Sequence, residues 1–253
     1  MFTLSNKLKI LLTNDDGIFA KGINILHNKL CDVADVYVLA PDSNRSAVSS
    51  HIVMNDSVKI KKHSDNIYSS SGYPADCVIT AIKSDLFNNI KFDAVLSGIN
   101  EGPNLGTDCI YSGTVAAARQ AVLYEVPGIA LSLSPYNNCY DYNAFADFVA
   151  NNLEMLISLY KPGVVLSLNA VSRNSYKGVQ LTTLCIRDYK DKVHILNAPD
   201  NNMYGFFRGG NIESFGPEKN EYEVVSNNEI AITRFYAELV NYNEKVDNLN
   251  FKL

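Results

Sequence analysis

Two adjacent carboxylates, Asp15 and Asp16, follow the first strongly apolar run of the chain and are the first residues whose types suggest chemistry. Carboxylates this close repel each other unless a cation lies between them or one of them is protonated. A hard divalent ion such as Mg²⁺ or Mn²⁺ takes carboxylate, hydroxyl and amide oxygens as ligands. Ser46 and Asn100, from two later polar loops, would complete such a set. The structural alternative is that one Asp caps the following helix while the other faces water.

A second candidate is the helix start formed by Ser112, Gly113 and Thr114, which a run of small residues follows. Helix N-termini carry free N–H groups and a partial positive charge, and they therefore bind phosphate. Gly113 permits close backbone approach, while Ser112 and Thr114 add hydroxyl donors. The structural alternative is that Ser112 is an ordinary N-cap. The preceding glycine-rich loop, 98–111, lacks the lysine of a Walker A sequence. Together the two candidates predict a metal beside a phosphate.

The elements that must position these residues alternate between short apolar strands and helical patterns. We predict strands at 9–13, 36–39, 94–97, 128–133 and 164–168, helices at about 18–33, 75–84, 113–124 and 142–160, and a hairpin within 57–71. The alternation indicates parallel βαβ units and a doubly wound α/β sheet. Ligands of such sheets bind beyond the carboxyl ends of the strands, so the polar loops that follow three of these strands are expected to converge.

After about residue 168 the pattern changes to short strand-like segments, such as 179–186 and 229–233. This change predicts a β-rich C-terminal extension that serves as an oligomerisation arm. The tail at 243–253 is predicted to be irregular.

Composition limits the possible functions. The chain has 253 residues, with 22 Lys and Arg against 27 Asp and Glu, so its net charge of -5 gives no basic surface for a nucleic-acid polymer. Five widely spaced cysteines and four histidines argue against a zinc site, an iron–sulfur cluster or a disulfide scaffold. Neither a signal peptide nor a long apolar run is present in the sequence, which predicts no membrane association and a cytoplasmic location.

Three segments carry a resemblance to a known family. They are 11–18 (LLTNDDGI), 40–47 (APDSNRSA) and 97–118 (SGINEGPNLGTDCIYSGTVAAA). In order and spacing they resemble the SurE (survival protein SurE) family of metal-dependent 5′-nucleotidases, and the similarity is dense over about residues 8–133. Two positions depart from the family pattern: Tyr73 stands where Thr is usual, and Arg119-Gln120 where an acidic residue is common.

The resemblance implies a fold, a site and a reaction. The fold is a three-layer α/β/α sandwich, here one domain over 1–253, with a core at about 8–168 and an extension at about 169–253 that builds a homodimer or homotetramer. One divalent cation per subunit, Mg²⁺ or Mn²⁺, is held by Asp15, Asp16, Ser46 and Asn100, and the two aspartates are the catalytic residues. Phosphate is bound by Asn104, Ser112, Gly113 and Thr114.

The implied reaction is hydrolysis of nucleoside 5′-monophosphates to nucleoside and phosphate, and the resemblance also permits 3′-nucleotides and short polyphosphate as substrates. Direct attack by water is favoured over a covalent aspartyl-phosphate, because haloacid-dehalogenase-type enzymes usually have a DxD arrangement whereas Asp15 and Asp16 are adjacent. Asp108, His51 and a metal-bound water are candidates for the general acid. The alternative function is a non-catalytic, receiver-like sensor of phosphate or metal, although receivers are about half as long and need a third Asp and a later Lys.

Overall fold

The computed structural model describes residues 7–239. The strands are β1 (Leu8–Thr13), β2 (Ala34–Pro41), β3 (Ile60–Ser64), β4 (Ile67–Ser70), β5 (Ala94–Glu101), β6 (Gly128–Ser134), β7 (Val164–Val171), β8 (Val179–Thr182), β9 (Ile186–Asp188), β10 (Lys192–Asn197), β11 (Met203–Arg208), β12 (Glu213–Phe215) and β13 (Ile230–Tyr236). The helices are α1 (Lys21–Leu30), α2 (Pro74–Lys83), α3 (Asp108–Tyr111), α4 (Gly113–Leu123), α5 (Asn143–Asn151), α6 (Leu153–Ser158) and α7 (Glu221–Ser226). The tail predicted to be irregular, 243–253, lies outside the described residues.

The central sheet has the strand order β3-β4-β2-β1-β5-β6-β7-β13-β8. From β4 to β7 neighbouring strands are parallel, as predicted, whereas β3 and β13 pair antiparallel with β4 and β7. The chain moves outward from β1 to β2 and then returns to β5 on the other side of β1. The point where the strand order reverses is where ligands bind in open α/β sheets. The loops that follow β1, β2 and β5 therefore end at the expected edge.

Helices cover both faces of the sheet, which confirms the predicted α/β/α layering. Successive side chains of a strand point to opposite faces, so Ile10 and Leu12 pack with α1 and α5, while Leu11 packs with α2 and α4. The strand β1 is buried from Ile10 to Thr13, which explains its continuous apolar sequence.

Two predicted elements differ from the structure. The long helix predicted at 142–160 is divided into α5 and α6 at Asn152, whose side-chain amide donates to the Phe148 carbonyl at 2.8 Å and competes with the helical pattern. The strand β5 extends to Glu101, and the short helix α3 lies within the loop predicted at 98–111.

The C-terminal segment contributes in two ways. Strands β13 and β8 extend the central sheet beyond β7, while β9, β10, β11 and β12 form two separate two-stranded ribbons. Part of the predicted extension is therefore continuous with the central sheet, and its role in oligomerisation stays a prediction. No helix in the described part of the chain is both long and apolar enough to cross a membrane.

Candidate active site

The turn after β1 is held closed by the side chain of Asn14. Asn14 donates to the Gly17 carbonyl at 2.9 Å and accepts from the Gly17 N–H at 3.2 Å. Gly17 has a φ of +102°, a conformation that residues with a Cβ rarely adopt. This closed turn holds Asp15 and Asp16 at the carboxyl end of the strand.

Asp15 is buried, with 3% of its surface exposed. Its carboxylate accepts a hydrogen bond from the Thr114 hydroxyl, which lies at the start of α4. A Cβ at position 113 would lie 2.9 Å from the Asp15 Cβ, so only glycine allows the helix to approach this closely. The pKa of Asp15 is raised from 3.8 to about 6: burial is the main cause, the Thr114 hydrogen bond opposes the increase, and the Asp16 charge adds to it.

Asp16 connects two of the site loops. Its carboxylate accepts a hydrogen bond of 2.9 Å from the backbone N–H of Glu101, at the end of β5. Burial raises the pKa of Asp16, and the nearby Glu101 charge contributes in the same direction. Burial therefore disfavours the charged form of both carboxylates in the metal-free protein. A bound cation would offset this cost.

Ser46 lies in the loop after β2, and Asn100 lies within β5, next to its last residue. The Ser46 N–H donates to the Asn44 side chain at 2.8 Å, while the Arg45 N–H donates to the Asp15 carbonyl at 2.6 Å, which ties the second loop to the first. Asn100 donates its amide nitrogen to the Gly102 carbonyl at 2.9 Å, so its amide oxygen remains an acceptor.

The predicted residues converge on one cavity of about 230 Å³. Those that line it are Asp15, Ser46, Asn100, Asn104 and Ser112. The remaining three predicted residues each contact a lining residue: Thr114 and Gly113 contact Asp15, and Asp16 accepts a hydrogen bond from the Glu101 N–H. Residues from three loops and one helix start, which are up to about a hundred positions apart in the sequence, thus meet at one place.

The helix start of α4 has the features of a phosphate site. Ser112 caps the helix, since its hydroxyl oxygen accepts from the Val115 N–H at 3.1 Å, which leaves the hydroxyl proton free to donate to a ligand. The first N–H groups of an α-helix have no intrahelical acceptor, so those of Gly113 and Thr114 can hold an anion. The Thr114 hydroxyl, expected to be a phosphate donor, is instead used by Asp15.

Asn104 is fixed by residues that the sequence analysis missed. Its backbone N–H donates to the Asn169 side chain at 2.9 Å, and Asn169 donates back to the Asn104 carbonyl at 3.0 Å. The Asn104 amide nitrogen donates to the Ser132 hydroxyl at 2.8 Å. Asn100, Ser132 and Asn169 occupy paired positions on adjacent strands. A polar residue at the end of an apolar strand is a signal that could have identified Asn169 and Ser132.

Glu221 is the second residue that the sequence analysis missed. Its fully buried carboxylate accepts from the Gly106 N–H in the glycine-rich loop, from the Cys185 N–H at 3.3 Å and from the Thr233 hydroxyl at 3.0 Å. Burial raises the pKa of Glu221. No local sequence signal identifies this role, because Glu221 lies in the short helix α7, 115 residues after Gly106.

The two side chains considered as general acids have different surroundings. Asp108 is buried, lies 3.3 Å from Arg187 and accepts a hydrogen bond from the Tyr189 hydroxyl. Both carboxylate oxygens of Asp108 accept hydrogen bonds from the protein, including one of 3.1 Å from the Leu105 N–H, so this environment argues for a structural role. His51 is exposed, and its ring packs against Tyr73 with 4.0 Å between the ring centroids.

The donor atoms fit a hard divalent cation. The predicted ligands are two carboxylates, one hydroxyl and one amide oxygen, which are the ligands that Mg²⁺ and Mn²⁺ prefer. The two negative carboxylates neutralise the charge of the divalent ion. Residues 7–239 contain no cluster of three or more His, Cys, Asp or Glu side chains arranged for a metal. The predicted set is consistent with that result, since it uses only two such residues.

Comparison with known proteins gives the family. A family model described as "Survival protein SurE" matches residues 10–191. The chain belongs to the SurE family. The "5′-nucleotidase SurE" of Alkaliphilus metalliredigens (strain QYMF) is 36% identical over 255 residues, covering 97% of this chain and 100% of the relative. The "5′-nucleotidase SurE" of Treponema pallidum (strain Nichols) is 46% identical over 176 residues, covering 67% of this chain and 93% of the relative.

A solved member of the SurE family shares the fold. The crystal structure of the SurE protein from Aquifex aeolicus superposes with a TM-score of 0.81 at 32% sequence identity, covering 92% of this chain and 95% of that chain. The predicted fold class is therefore confirmed by both the strand order and this likeness. The receiver-like alternative is not favoured, because the family match spans the site loops and continues through α6 and β7.

We expect the substitution Ser112→Ala to weaken phosphate binding and leave the metal ligands unchanged. The variant loses a hydroxyl donor at the helix start and an N-cap worth about 1 kcal/mol of unfolding free energy. Competitive inhibition by inorganic phosphate should weaken several-fold, while the Mn²⁺ concentration for half-maximal activity stays the same. An unchanged inhibition constant for phosphate would remove Ser112 from the phosphate site.

Proposed function

We propose that this protein is a divalent-metal-dependent 5′-nucleotidase, a phosphoric monoester hydrolase that converts nucleoside 5′-monophosphates to nucleoside and phosphate. The observation that carries the proposal is the convergence of Asp15, Ser46, Asn100, Asn104 and Ser112 on one cavity beside the start of α4. The names of the SurE relatives support the same reaction. A receiver-like sensor needs a third Asp and a later Lys for which no pattern is evident in the sequence.

The proposed division of labour follows the contacts at the site. Asp15, Asp16, Ser46 and Asn100 would hold one Mg²⁺ or Mn²⁺ per subunit, which supplies Lewis acidity and neutralises charge on the phosphoryl group. The N–H groups of Gly113 and Thr114, with the Ser112 hydroxyl, would bind the phosphoryl oxygens and stabilise the charge that develops on them. Their rigid attachment to the helix means that little reorganisation is needed during the reaction.

Thr114 acts in this scheme mainly through Asp15. Its hydroxyl donates to one carboxylate oxygen and fixes the orientation of the side chain. The close packing of Gly113 against Asp15 restricts that side chain further. A carboxylate held this firmly suits a ligand better than a nucleophile that must move toward phosphorus, so we favour direct attack by water over an aspartyl-phosphate.

Phosphate release from AMP tests the proposed reaction. We expect release with added Mn²⁺ or Mg²⁺, loss of release with EDTA, and recovery when the cation is restored in excess. A panel of all nucleoside 5′-monophosphates, 3′-nucleotides and short polyphosphates would define the substrate range. Absence of divalent-dependent release from every nucleoside monophosphate would contradict the proposal.

We also propose that the ribbon formed by β10 and β11 joins copies of the chain into a homodimer or homotetramer. Its side chains include the exposed apolar residues Val193, Ile195, Phe206 and Phe207, and Phe207 is 84% exposed. Exposed apolar patches of this kind usually mark an interaction surface. The cytoplasmic location and the lack of a nucleic-acid partner remain predictions from the sequence.

The substitution Phe207→Ser should lower the oligomeric state measured by light scattering after size-exclusion chromatography. The physical reason is that a polar side chain at the most exposed aromatic position of the ribbon removes apolar surface from the contact. Tyr236→Ser, at an exposed aromatic residue of the central sheet, is the matched control. An unchanged molar mass for Phe207→Ser would place the subunit contact elsewhere.

A further inference from the structure

The loop that follows β2 carries Ser46, and its backbone is strained directly after that residue. Ala47 and Ser49 have φ values of +57° and +53°. Residues with a Cβ seldom adopt this left-handed conformation, because the Cβ then lies too close to the backbone. The position of the Ser46 hydroxyl therefore depends on the contacts that this loop, residues 43–53, makes with the rest of the molecule.

One side of the 43–53 loop is attached to the short helix α3. The Ser49 N–H donates to the Tyr111 carbonyl at 2.8 Å, and the Ser49 hydroxyl donates to the Ile110 carbonyl at 2.7 Å. Both acceptors are backbone groups, so this attachment does not depend on the side chains of α3. The contacts on the side of α2 are different in kind, because they are made largely by side chains.

Tyr73, which directly precedes α2, contacts the loop at two points. Its ring packs against the His51 ring, with 4.0 Å between the centroids and an angle of 49° between the planes. The Arg45 guanidinium carbon lies over the same ring, 5.4 Å from its centroid. Aromatic pairs and cation–π contacts are both attractive. Tyr73 thus binds one loop residue before Ser46 and one after it.

Arg45 depends on the Tyr73 ring for part of its environment. Its guanidinium donates to the Ser71 carbonyl at 3.0 Å and lies 3.3 Å from the Asp42 carboxylate. Its Nε is buried and has no hydrogen-bond partner within residues 7–239. The negative face of an aromatic ring attracts such a cationic group. The ring therefore helps to fix Arg45, the residue that directly precedes Ser46.

The backbone that carries the Tyr73 ring is itself anchored. The Tyr73 N–H donates to one carboxylate oxygen of Asp76 at 2.9 Å, and the other oxygen accepts from the Val53 N–H at 3.0 Å. The next residue, Pro74, packs so close to Gly113 that a Cβ at position 113 would lie 3.2 Å from its ring. The start of α2 is thus a firm support that also contacts the start of α4.

We propose that Tyr73 is a positioning residue that holds the 43–53 loop in the conformation in which Ser46 can bind the divalent cation. This inference rests on the proposed metal-dependent function and adds a residue that acts on the cation through the loop. A protein whose binding conformation is populated only part of the time has an apparent affinity lowered by that fraction. Removing the ring therefore weakens metal binding although every metal ligand remains in the chain.

Calorimetric titration of the metal-free protein with MnCl₂ tests this directly. In Tyr73→Thr the ring is lost, but threonine is a good N-cap, so α2 should remain intact. The Kd for Mn²⁺ should rise roughly 3- to 30-fold, the range expected for one aromatic and one cation–π contact. Tyr73→Phe keeps the ring and should stay close to wild type. Equal Kd values for Tyr73→Thr and wild type would overturn the proposal.

The matched control is Tyr222→Thr, which makes the same change at an exposed tyrosine on α7 and should leave the Kd for Mn²⁺ unchanged. Kinetics distinguish positioning from a general structural role. At saturating Mn²⁺ the bound cation selects the competent loop, so kcat for AMP in Tyr73→Thr should approach wild type, while activity at limiting Mn²⁺ falls. A loss of kcat that excess Mn²⁺ does not restore would contradict the proposal.

Hydrogen exchange in EDTA examines the loop without any metal. The backbone N–H groups of residues 43–53 should exchange faster in Tyr73→Thr than in wild type, while those of α7 exchange at the same rate. If wild type binds no Mn²⁺, the proposed metal site fails, and this measurement alone decides whether Tyr73 holds the loop. Unchanged exchange over 43–53 would overturn that role.

Discussion

Replacing Asp15 by Asn is expected to reduce the hydrolysis of nucleoside 5′-monophosphates roughly 100- to 1,000-fold, a loss typical of a preorganised electrostatic group at a reacting centre. The amide keeps an oxygen that can accept from the Thr114 hydroxyl, so the local geometry should survive. What changes is the charge available to a divalent cation. The loss should therefore be accompanied by a higher Mn²⁺ concentration for half-maximal activity.

The same substitution should stabilise the metal-free protein above about pH 6. The pKa of Asp15 is raised in the folded state from 3.8 to about 6, so the folded protein binds this proton more tightly than the unfolded chain does. The contribution of Asp15 to the unfolding free energy is therefore most favourable below its ordinary pKa and falls as the pH rises through about 6. A shift of about two pKa units corresponds to a cost on the order of 3 kcal/mol, which the neutral amide of the Asp15→Asn variant avoids.

Thermal unfolding in EDTA and in excess Mn²⁺ checks both effects together. In EDTA near pH 7.5, the variant should unfold at a higher temperature than wild type; in excess Mn²⁺ the wild type should gain stability, by about 2.7 kcal/mol at one hundred times its Kd, while the variant gains little. Asp16→Asn should lower the rate or metal affinity roughly tenfold to several hundredfold. Wild-type activity of Asp15→Asn at limiting Mn²⁺ would remove Asp15 from the metal site.

The second large effect is expected from Glu221→Ala, which removes a buried acceptor from three donors. Each buried donor that loses its partner costs about 1–3 kcal/mol, so the unfolding free energy should fall by about 3 kcal/mol or more. Gly106 loses the contact that holds the glycine-rich loop, and kcat should fall as well. Urea unfolding and AMP hydrolysis measure the two effects.

Two related variants complete the test of Glu221. Glu218→Ala, at an exposed position shortly before α7, should leave both stability and kcat close to wild type. Glu221→Gln keeps one acceptor oxygen and should show a smaller loss of stability, which provides a folded variant for kinetics if the alanine protein does not fold. Equal unfolding free energies for Glu221→Gln and wild type would show that the carboxylate charge has no role.

The strands and the site loops were predictable because their signals are local. A continuous apolar run such as Ile10–Leu12 indicates a buried parallel strand, and the polar residues that directly follow it must lie at the strand's carboxyl end. The order of three such strands then brings Asp15, Ser46 and Asn100 together. Asn104 was predicted as a phosphate contact only from the SurE resemblance, because periodicity offers no signal for it.

The supporting contacts were not predictable because they depend on tertiary packing. Thr114 was expected to donate to phosphate, but the close approach of α4 to Asp15 directs its hydroxyl to that carboxylate. Glu221 was missed because its partners Gly106 and Cys185 are distant in sequence. The break at Asn152 depends on a competition between side-chain and backbone acceptors, which hydrophobic periodicity does not report.

The hydrogen bond from the Gly106 N–H to Glu221 also determines when the site can be completed during folding. The strands β1, β2 and β5 and the helix α4 are all contained in the first half of the chain, whereas the carboxylate that fixes the glycine-rich loop follows 115 residues after Gly106. Contacts of such long sequence separation form late, because a large loop must close before they contribute. During synthesis, the proposed phosphate and metal ligands would therefore be present well before the cavity acquires its final shape, and we expect the nascent chain to become active only after α7 has docked.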